Sequence, residues 1–301
     1  MKLFNRKAKE VQPEEQRDFF VTDLVNNMGE DTGRYFLGLK KIYKERDWVP
    51  SIVTTSWRTD EQSIFRNYQK EDHLFVKDTQ LLNLYMDLRN RFHNHPREKV
   101  EFTPNPSLIP VKNVGSNSVS YKNEQDETVQ KVTYRDNGQL LKIDYFRYAR
   151  SLRVDMVDKN GFMEATQHYG LNTDGWLSRD FYSYDGRIYL SENREERSYW
   201  VLAPDGSIKA VFDTPTDLIM WWLSDKIDTN SRVMINQENI LFPTVVKQLQ
   251  GEIIPIITSP TISEAIKNAP YIHRVIVEAH NAKLLEKQLE ELNLEVILLE
   301  Y

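Results

Sequence analysis

Five glycine turn dipeptides fall between residues 137 and 206: Asn137-Gly138, Asn160-Gly161, Asp174-Gly175, Asp185-Gly186 and Asp205-Gly206. Between them lie "LLKIDYFRY", "GWLSRDFYSY", "RIYLS" and "SYWVL", which are strand-length, aromatic and partly alternating. In "YRDNGQLLKIDYF" (134–146) an Asn-Gly pair separates two runs rich in β-branched and aromatic residues. That pattern predicts a two-residue hairpin in a type I′ turn, which needs positive φ at both central residues. The dipeptides recur at 11 to 23 residues, as in an antiparallel meander rather than a strict repeat array. Polar residues alternate with the aromatic ones, so one face of the meander is expected to meet solvent.

The flanks read differently. "RDFFVTDLV" (17–25) predicts a strand, "NNMGEDTG" (26–33) a loop, and "RYFLGLKKIYKER" (34–46) a helix with Tyr35, Phe36, Leu39, Ile42 and Tyr43 at helical spacing. "PSIVTTSW" (50–57) predicts a strand and "TQLLNLYMDLRNRF" (79–92) an amphipathic helix. After the meander, Thr214 is a good N-cap and Pro215 suits the first helical position. Strands at 232–236, 252–258, 273–279 and 294–300 then alternate with helices at 243–251, 263–269 and 280–293. Ile- and Val-rich strands alternating with helices indicate a parallel sheet covered on both faces. The expected fold class is therefore α/β. Residues 17–110 and 214–301 form a Rossmann-like parallel sheet domain, 111–213 form a large inserted antiparallel β-meander, and 1–16 form a polar arm.

Composition narrows the function classes. The 301 residues carry 39 Lys and Arg against 45 Asp and Glu, a net −6, which argues against a nucleic-acid partner. Cysteine is absent, so a disulfide framework and a thiolate metal site are excluded. Apolar stretches are too short for a spanning helix and the first residues lack a signal-peptide core, so the expected location is cytoplasmic, with peripheral membrane contact allowed.

Several residues are candidates for a site, each with a plainer reading beside it. Gly29 and Gly33 between a strand and a helix, with Thr32, would place backbone N–H groups at a helix N-terminus suited to a phosphate. Neither glycine-rich phosphate fingerprint is present, Glu30 and Asp31 would repel an anion, and Asp31 or Thr32 as an ordinary N-cap explains the same residues. Thr258, Ser259 and Thr261 follow one strand and would hydrogen-bond a sugar, or lead to a helix capped at Ser263. His280, with His273 and Glu278, flanks another strand, where parallel sheets place ligand groups; alternatively His280 and Asn281 cap the next helix. His93 and His95 have no evident third ligand, and no metal site is expected. Trp176, Tyr182, Tyr184, Tyr189, Tyr199 and Trp200 would form a sugar-stacking or protein-docking surface, or in part the meander's own core. Trp221 and Trp222 read as core. No catalytic residue is identifiable and no cofactor is expected.

The "YRDNGQL" and "YSYDGRIYL" phrases, with "NNMGEDTGRYFLGLKKIYKERDWVPSIVTT", make the chain resemble a bacterial glycosyltransferase group. This group comprises GT-B-fold, family-4-like retaining enzymes whose N-terminal Rossmann-like domain carries an inserted β-meander. It includes the poly(glycerol-phosphate) and wall-teichoic-acid α-glycosyltransferases and the paired proteins that O-glycosylate serine-rich adhesins. The resemblance implies sugar transfer from a nucleotide-sugar to a protein or polyol-phosphate acceptor, with electrostatic support of the leaving diphosphate. Departures accompany it. Glu30 follows Gly29 where the family has a second glycine, "IIPIITSPTIS" lacks the family's histidine, and the chain ends about where a nucleotide-binding second domain would begin. The expectation is the acceptor-side half or accessory part of such a system, an oligomer through its meander or a partner of a catalytic subunit. The alternative is a non-catalytic, chaperone-like interaction subunit for a catalytic transferase or an exported glycoprotein.

Overall fold

A computed structural model describes residues 16–24, 29–70, 73–92, 99–171 and 175–301. The arm as far as residue 15, residues 25–28 of the first loop, His93, His95 and Asp174 lie outside the described residues. The chain divides into two compact units. The first comprises residues 1–54, 60–82 and 222–301, and the second 55–59 and 83–221.

In the first unit, chain order gives β1 (Arg17–Val21), α1 (Glu30–Glu45), β2 (Ser51–Thr54), α2 (Glu61–Lys70) and β3 (Leu81–Asn83). The second unit holds α3 (Leu84–Asn90) and ten strands: β4 (Ile109–Lys112), β5 (Ser118–Lys122), β6 (Thr128–Tyr134), β7 (Leu140–Arg147), β8 (Arg150–Val157), β9 (Met163–Tyr169), β10 (Trp176–Tyr182), β11 (Ile188–Asn193), β12 (Ser198–Leu202) and β13 (Ile208–Phe212). Helix α4 (Pro215–Lys226) leads the chain back to the first unit. There follow β14 (Ser231–Asn236), α5 (Phe242–Gln248), β15 (Glu252–Ile257), α6 (Glu264–Lys267), β16 (Arg274–Glu278), α7 (Ala279–Glu291) and β17 (Glu295–Leu299). The α/β class with a Rossmann-like sheet and a large antiparallel meander is what the chain adopts.

The first unit's sheet runs β17-β16-β15-β14-β1-β2-β3, with parallel ladders from β17 through to β2. Strand order reverses between β1 and β14, and such switch points open a crevice at the carboxyl ends of the strands. Phe20 and Ile52 from the sheet, Phe36, Leu39 and Tyr43 from α1, and Phe65 and Tyr68 from α2 build one continuous core. Phe20 meets Phe36 and Tyr43 edge-on at 6.1 and 6.3 Å. α1 approaches the end of β17 so closely that a Cβ on Gly38 would lie 2.8 Å from the Glu300 carbonyl oxygen, so only glycine fits there.

The second unit's sheet is a strict antiparallel meander in chain order from β4 to β13. Its turns differ from the type I′ expectation. At Asn137-Gly138 only Gly138 has positive φ (81°); Gly138 N–H donates to the Arg135 carbonyl at 2.9 Å and Arg135 N–H to the Gln139 carbonyl at 2.7 Å. This is a type I turn closed by a left-handed residue in a bulge. The pattern recurs at 158–162, 183–187 and 203–207, and at 123–127 with Asp126 (φ 63°) in place of glycine. Among the described residues, the two-residue hairpin with both central φ positive is instead Tyr148-Ala149, at 51° and 57°.

The buried side of the meander changes along its length. At β5–β7 it is the face of Tyr121, Val132 and Ile143, covered by Phe102 and Leu108. At β9–β12 it is the opposite face, where Ala165, Phe181, Leu190 and Val201 align across the ladders. There Trp57 and Tyr85 pack on Phe181 at 5.3 and 4.9 Å.

Candidate functional site

In the first unit, the carboxyl ends of the strands gather polar side chains. α1 begins at Glu30 with Gly29 as its N-cap (φ −69°, ψ 162°) and no side-chain cap bond. The expected cap at Asp31 or Thr32 is therefore not formed; Thr32 and Gly33 lie in the first helical turns. Glu30 pairs with Arg34, and Glu30 and Asp31 set two carboxylates against the positive end of the helix dipole. That leaves little attraction there for a second anion.

Thr258 and Ser259 lie together at the end of β15 and serve the fold. Asn236 Nδ2 donates to Thr258 Oγ1 at 3.1 Å, and Gln237 Nε2 to Ser259 Oγ at 3.0 Å. Gln237 also donates to the Thr261 carbonyl at 2.7 Å and accepts from Ser263 N–H at 3.0 Å, while Ser263 caps α6. Asn236 also bonds the Tyr35 phenol, whose pKa burial pushes up, so α1 is tied to the ends of β14 and β15. The Tyr301 phenol is pushed up to about 12, first by burial and then by its bond to Glu278. α7 begins at Ala279 without a side-chain cap, so His280 and Asn281 are helical rather than capping; Asn281 Nδ2 donates to Glu278 Oε2 at 3.1 Å. His280 instead lines a groove of about 870 Å³ with Lys283, Glu286, Leu298 and Glu300.

In the second unit, the six aromatic candidates do not form one surface. Tyr189 is buried beside Phe181 and Phe92. Tyr184 is half-buried, with the Arg89 guanidinium 4.0 Å from its ring centre. Trp176 stacks with Arg179 at 4.3 Å, and Tyr199 pairs across the ladder with buried Glu192. Tyr182 and Trp200 lie on the other, open face.

That open face runs from β8 to β13. The ladders align Asp155, Thr166, Asp180, Ser191, Trp200 and Val211 in one row across the sheet. Cross-strand partners share a face and touch. Arg153 grips Asp155 with two bonds of 2.7 Å, and Thr166 Oγ1 donates to Asp155 Oδ1 at 2.9 Å. Tyr145 bonds Asp155 and Tyr182 bonds Thr166. Ser191 Oγ donates to Asp180 Oδ1 at 2.6 Å, and His168 lies 3.5 Å from Asp180. Asp155 and Thr166 are themselves buried, so the groups this face offers outward are the Arg153 guanidinium, His168, Asp180 and Ser191, with Trp200 38% exposed beside them. Such a surface matches the alternating polar and apolar faces of a sugar.

The covered face holds a polar network that sequence reading missed. Arg89 pairs with Asp158 at 2.9 Å, both nearly buried, and donates to the Met163 carbonyl at 3.0 Å. Arg179 lies 3.6 Å from Glu192, which accepts from the Tyr85 hydroxyl at 2.8 Å. Burial pushes the Glu164 and Glu192 carboxyls up and the Arg179 guanidinium down. The bonds from Arg89 to Met163 and from Tyr85 to Glu192 join residues 74 and 107 apart in sequence, so only the ladder register brings them together.

No protein-family model and no curated protein sequence matches the chain. Solved structures do. A point mutant of S. aureus TarM in complex with fondaparinux, α-GlcNAc-glycerol and UDP matches 94% of this chain and 61% of that chain, with TM-score 0.68 and 14% identity. The pneumococcal O-GlcNAc transferase GtfA in complex with UDP and GlcNAc matches 95% of this chain and 60% of that chain, with TM-score 0.66 and 12% identity. The glycosylation-associated Gap123 complex from Streptococcus agalactiae matches at 93% and 60%, with TM-score 0.63 and 13% identity. This chain thus spans about three-fifths of the length of the structures it matches. Among the described residues no helix is long and apolar enough to cross a membrane. At these identities the likeness is one of fold, and it is the resemblance carried by the hairpins and the first glycine segment: the chain has the Rossmann-like sheet and large antiparallel β-meander of the TarM, GtfA and Gap123 structures.

Proposed function

We propose that this chain is the acceptor-side or accessory part of a glycosyltransferase system, acting in the cytoplasm on a protein or polyol-phosphate acceptor. The observation that carries this reading is the match to TarM and GtfA over more than nine-tenths of the chain, parallel sheet and meander together. The open face of β8–β13 is the acceptor surface in this reading, with Tyr182 and Trp200 stacking on sugar rings and the Arg153, Asp180 and His168 groups taking hydroxyls. In the first unit, the carboxyl ends of the parallel strands, with Thr258, Ser259 and Gly29, are a second place where a sugar hydroxyl would be held.

A second reading is a non-catalytic interaction subunit for a catalytic transferase. The two carboxylates at the start of α1 favour it, because they oppose a diphosphate there. Calorimetry on the purified chain tests both. The acceptor-side reading expects saturable binding of a serine-rich peptide or glycerol-phosphate oligomer and none of UDP-GlcNAc or UDP-glucose. Sugar transfer by the chain alone would overturn it. A stable complex with a catalytic transferase, without acceptor binding by this chain, would favour the second reading.

A further inference from the structure

A cleft of about 160 Å³ opens between α3 and the turn that joins β12 to β13. Its walls are apolar and already buried: Leu88, Phe92, Tyr189 and Val201 are each no more than 6% exposed. Close packing leaves few empty spaces of this size, and a space lined by apolar side chains offers water no partners. A cavity of about 150 Å³ lined by Leu, Ile and Phe takes up benzene, so this cleft has room for one ring. Its rim is cationic. Arg91 and Lys209 line it, and each lies 5.8 Å from the centre of the Trp221 ring. Arg91 Nε and Nη2 donate to Asp87 Oδ2 at 3.1 and 2.9 Å, so the Arg91 charge is compensated. Lys209 is exposed, and among the described residues it has no carboxylate partner and no carboxylate lines the cleft.

We propose that this cleft is a binding site for a carboxylate carried on a compact apolar group such as a phenyl ring. The ring fills the space between Leu88, Phe92, Tyr189 and Val201, where it leaves water. The carboxylate pairs with Lys209, a charge-assisted contact that the protein itself does not already make. Trp221 holds the ammonium over its face, which favours a cation there whether or not the ligand is bound. Two sources share this chemistry: a free aromatic acid, and the C-terminal aromatic residue of another polypeptide, whose side chain and terminal carboxylate are joined in the same way. Val201 belongs to the covered face of the meander, opposite to the face of Trp200, so the site is separate from the acceptor surface and does not rest on that reading.

The test is an NMR titration of the whole chain with phenylacetate, and with benzylamine as a probe of the same shape and opposite charge. Saturable binding of phenylacetate is expected, with benzylamine about tenfold weaker or more. Lys209→Gln is expected to weaken phenylacetate severalfold and to narrow the gap to benzylamine, with Tm unchanged. Ala203→Leu, which extends a side chain into the cleft, is expected to abolish binding of both probes, with Tm unchanged or raised. Lys209→Gln is at an exposed position and keeps the test decisive should the filled variant unfold. No saturable binding of phenylacetate by the wild type overturns the proposal. Equal binding of benzylamine overturns it, as does phenylacetate binding that is unaltered in either variant. A peptide ending in Phe with a free carboxylate, compared with its C-terminal amide, separates the sources. Tighter binding of the free peptide than of phenylacetate, lost in the amide, supports the proposal with a chain terminus as ligand; tighter binding of phenylacetate supports it with a free acid.

Discussion

Strand β15 of the first unit and strand β10 of the second show how differently the two sheets are held. In β15, five successive residues from Ile253 to Ile257 are buried. In β10, Phe181 alone is fully buried and the other six are half-buried. A parallel sheet covered on both faces is held by its continuous apolar interior. The meander is a single layer whose buried face changes side, so it depends on exact turns, on side-chain bonds such as Arg153–Asp155, and on a few buried ion pairs. The same contrast explains where function is available. The parallel sheet uses Thr258, Ser259 and Asn236 to tie its own strand ends. The meander leaves Arg153, His168, Asp180 and Trp200 partly exposed on one face.

The contrast can be broken most strongly in the first unit's core. Phe20→Ala removes a ring 1% exposed among Phe36 and Tyr43 and is expected to cost about 3–5 kcal/mol, measured by denaturant unfolding. Hydrogen exchange should then rise across β1, β2 and β14. If exchange rose equally in β9–β12, the two units would not be held separately.

The largest effect expected in the second unit comes from polarity rather than volume. Arg89→Ala leaves Asp158 buried without its partner and is expected to cost about 3 kcal/mol, though Asp158 keeps bonds from the Asn160 and Phe162 N–H groups. Arg89→Met fills the space without the charge, and recovery of stability there would show that packing, not the ion pair, matters.

A smaller effect isolates turn chemistry. Nothing lies within 4 Å of a Cβ built on Gly138, so Gly138→Ala is penalised only through its φ of 81° and should cost about 1–2 kcal/mol. An unchanged midpoint would mean that the 135–139 turn carries no stability.

The smallest expected effect is one of pH. Burial raises the Glu192 carboxyl above its ordinary value, so the folded state binds that proton more tightly than the unfolded chain. Its contribution favours folding below the ordinary carboxylate range and is lost as pH rises through the raised value. Wild type should therefore gain stability relative to Glu192→Gln on acidification, by about 1.4 kcal/mol per pH unit at most. The exposed Glu295 of the first unit, held below its ordinary value by Arg274, should show the opposite sign.

Periodicity made most of the first unit legible. The strands near 232–236, 252–258, 273–279 and 294–300 appear within a residue or two of expectation. β15 even accommodates Pro255 in a central strand, because its ladder to β16 begins only at Ile256. Thr214 caps α4 as expected, its Oγ1 accepting from Asp217 N–H at 3.1 Å. The run at 79–92 reads as one helix because "LLNLYMDL" is apolar enough for either state. Asn83 decides the matter: its Oδ1 accepts from Met86 N–H at 3.1 Å, ending β3 and starting α3. The Tyr148-Ala149 turn is not legible, since neither residue announces left-handed backbone. The Arg89, Arg179 and Glu192 network is hidden too, because its partners meet only through register. Helix α2 carries Ile64, Phe65 and Tyr68 at helical spacing, a signal present in the sequence but short enough to pass for loop.

The central claim is that this fold presents an acceptor through the open face of its meander. The most direct measurement is calorimetric titration of the whole chain with an O-GlcNAc-bearing serine-rich peptide, wild type against Trp200→Ala. Trp200 is 38% exposed, so the substitution should lower Tm modestly and leave the chain folded at the temperature of the titration. The account predicts saturable binding that falls about tenfold in the variant, the loss of one stacking aromatic. Binding that is equal in the two proteins would contradict it.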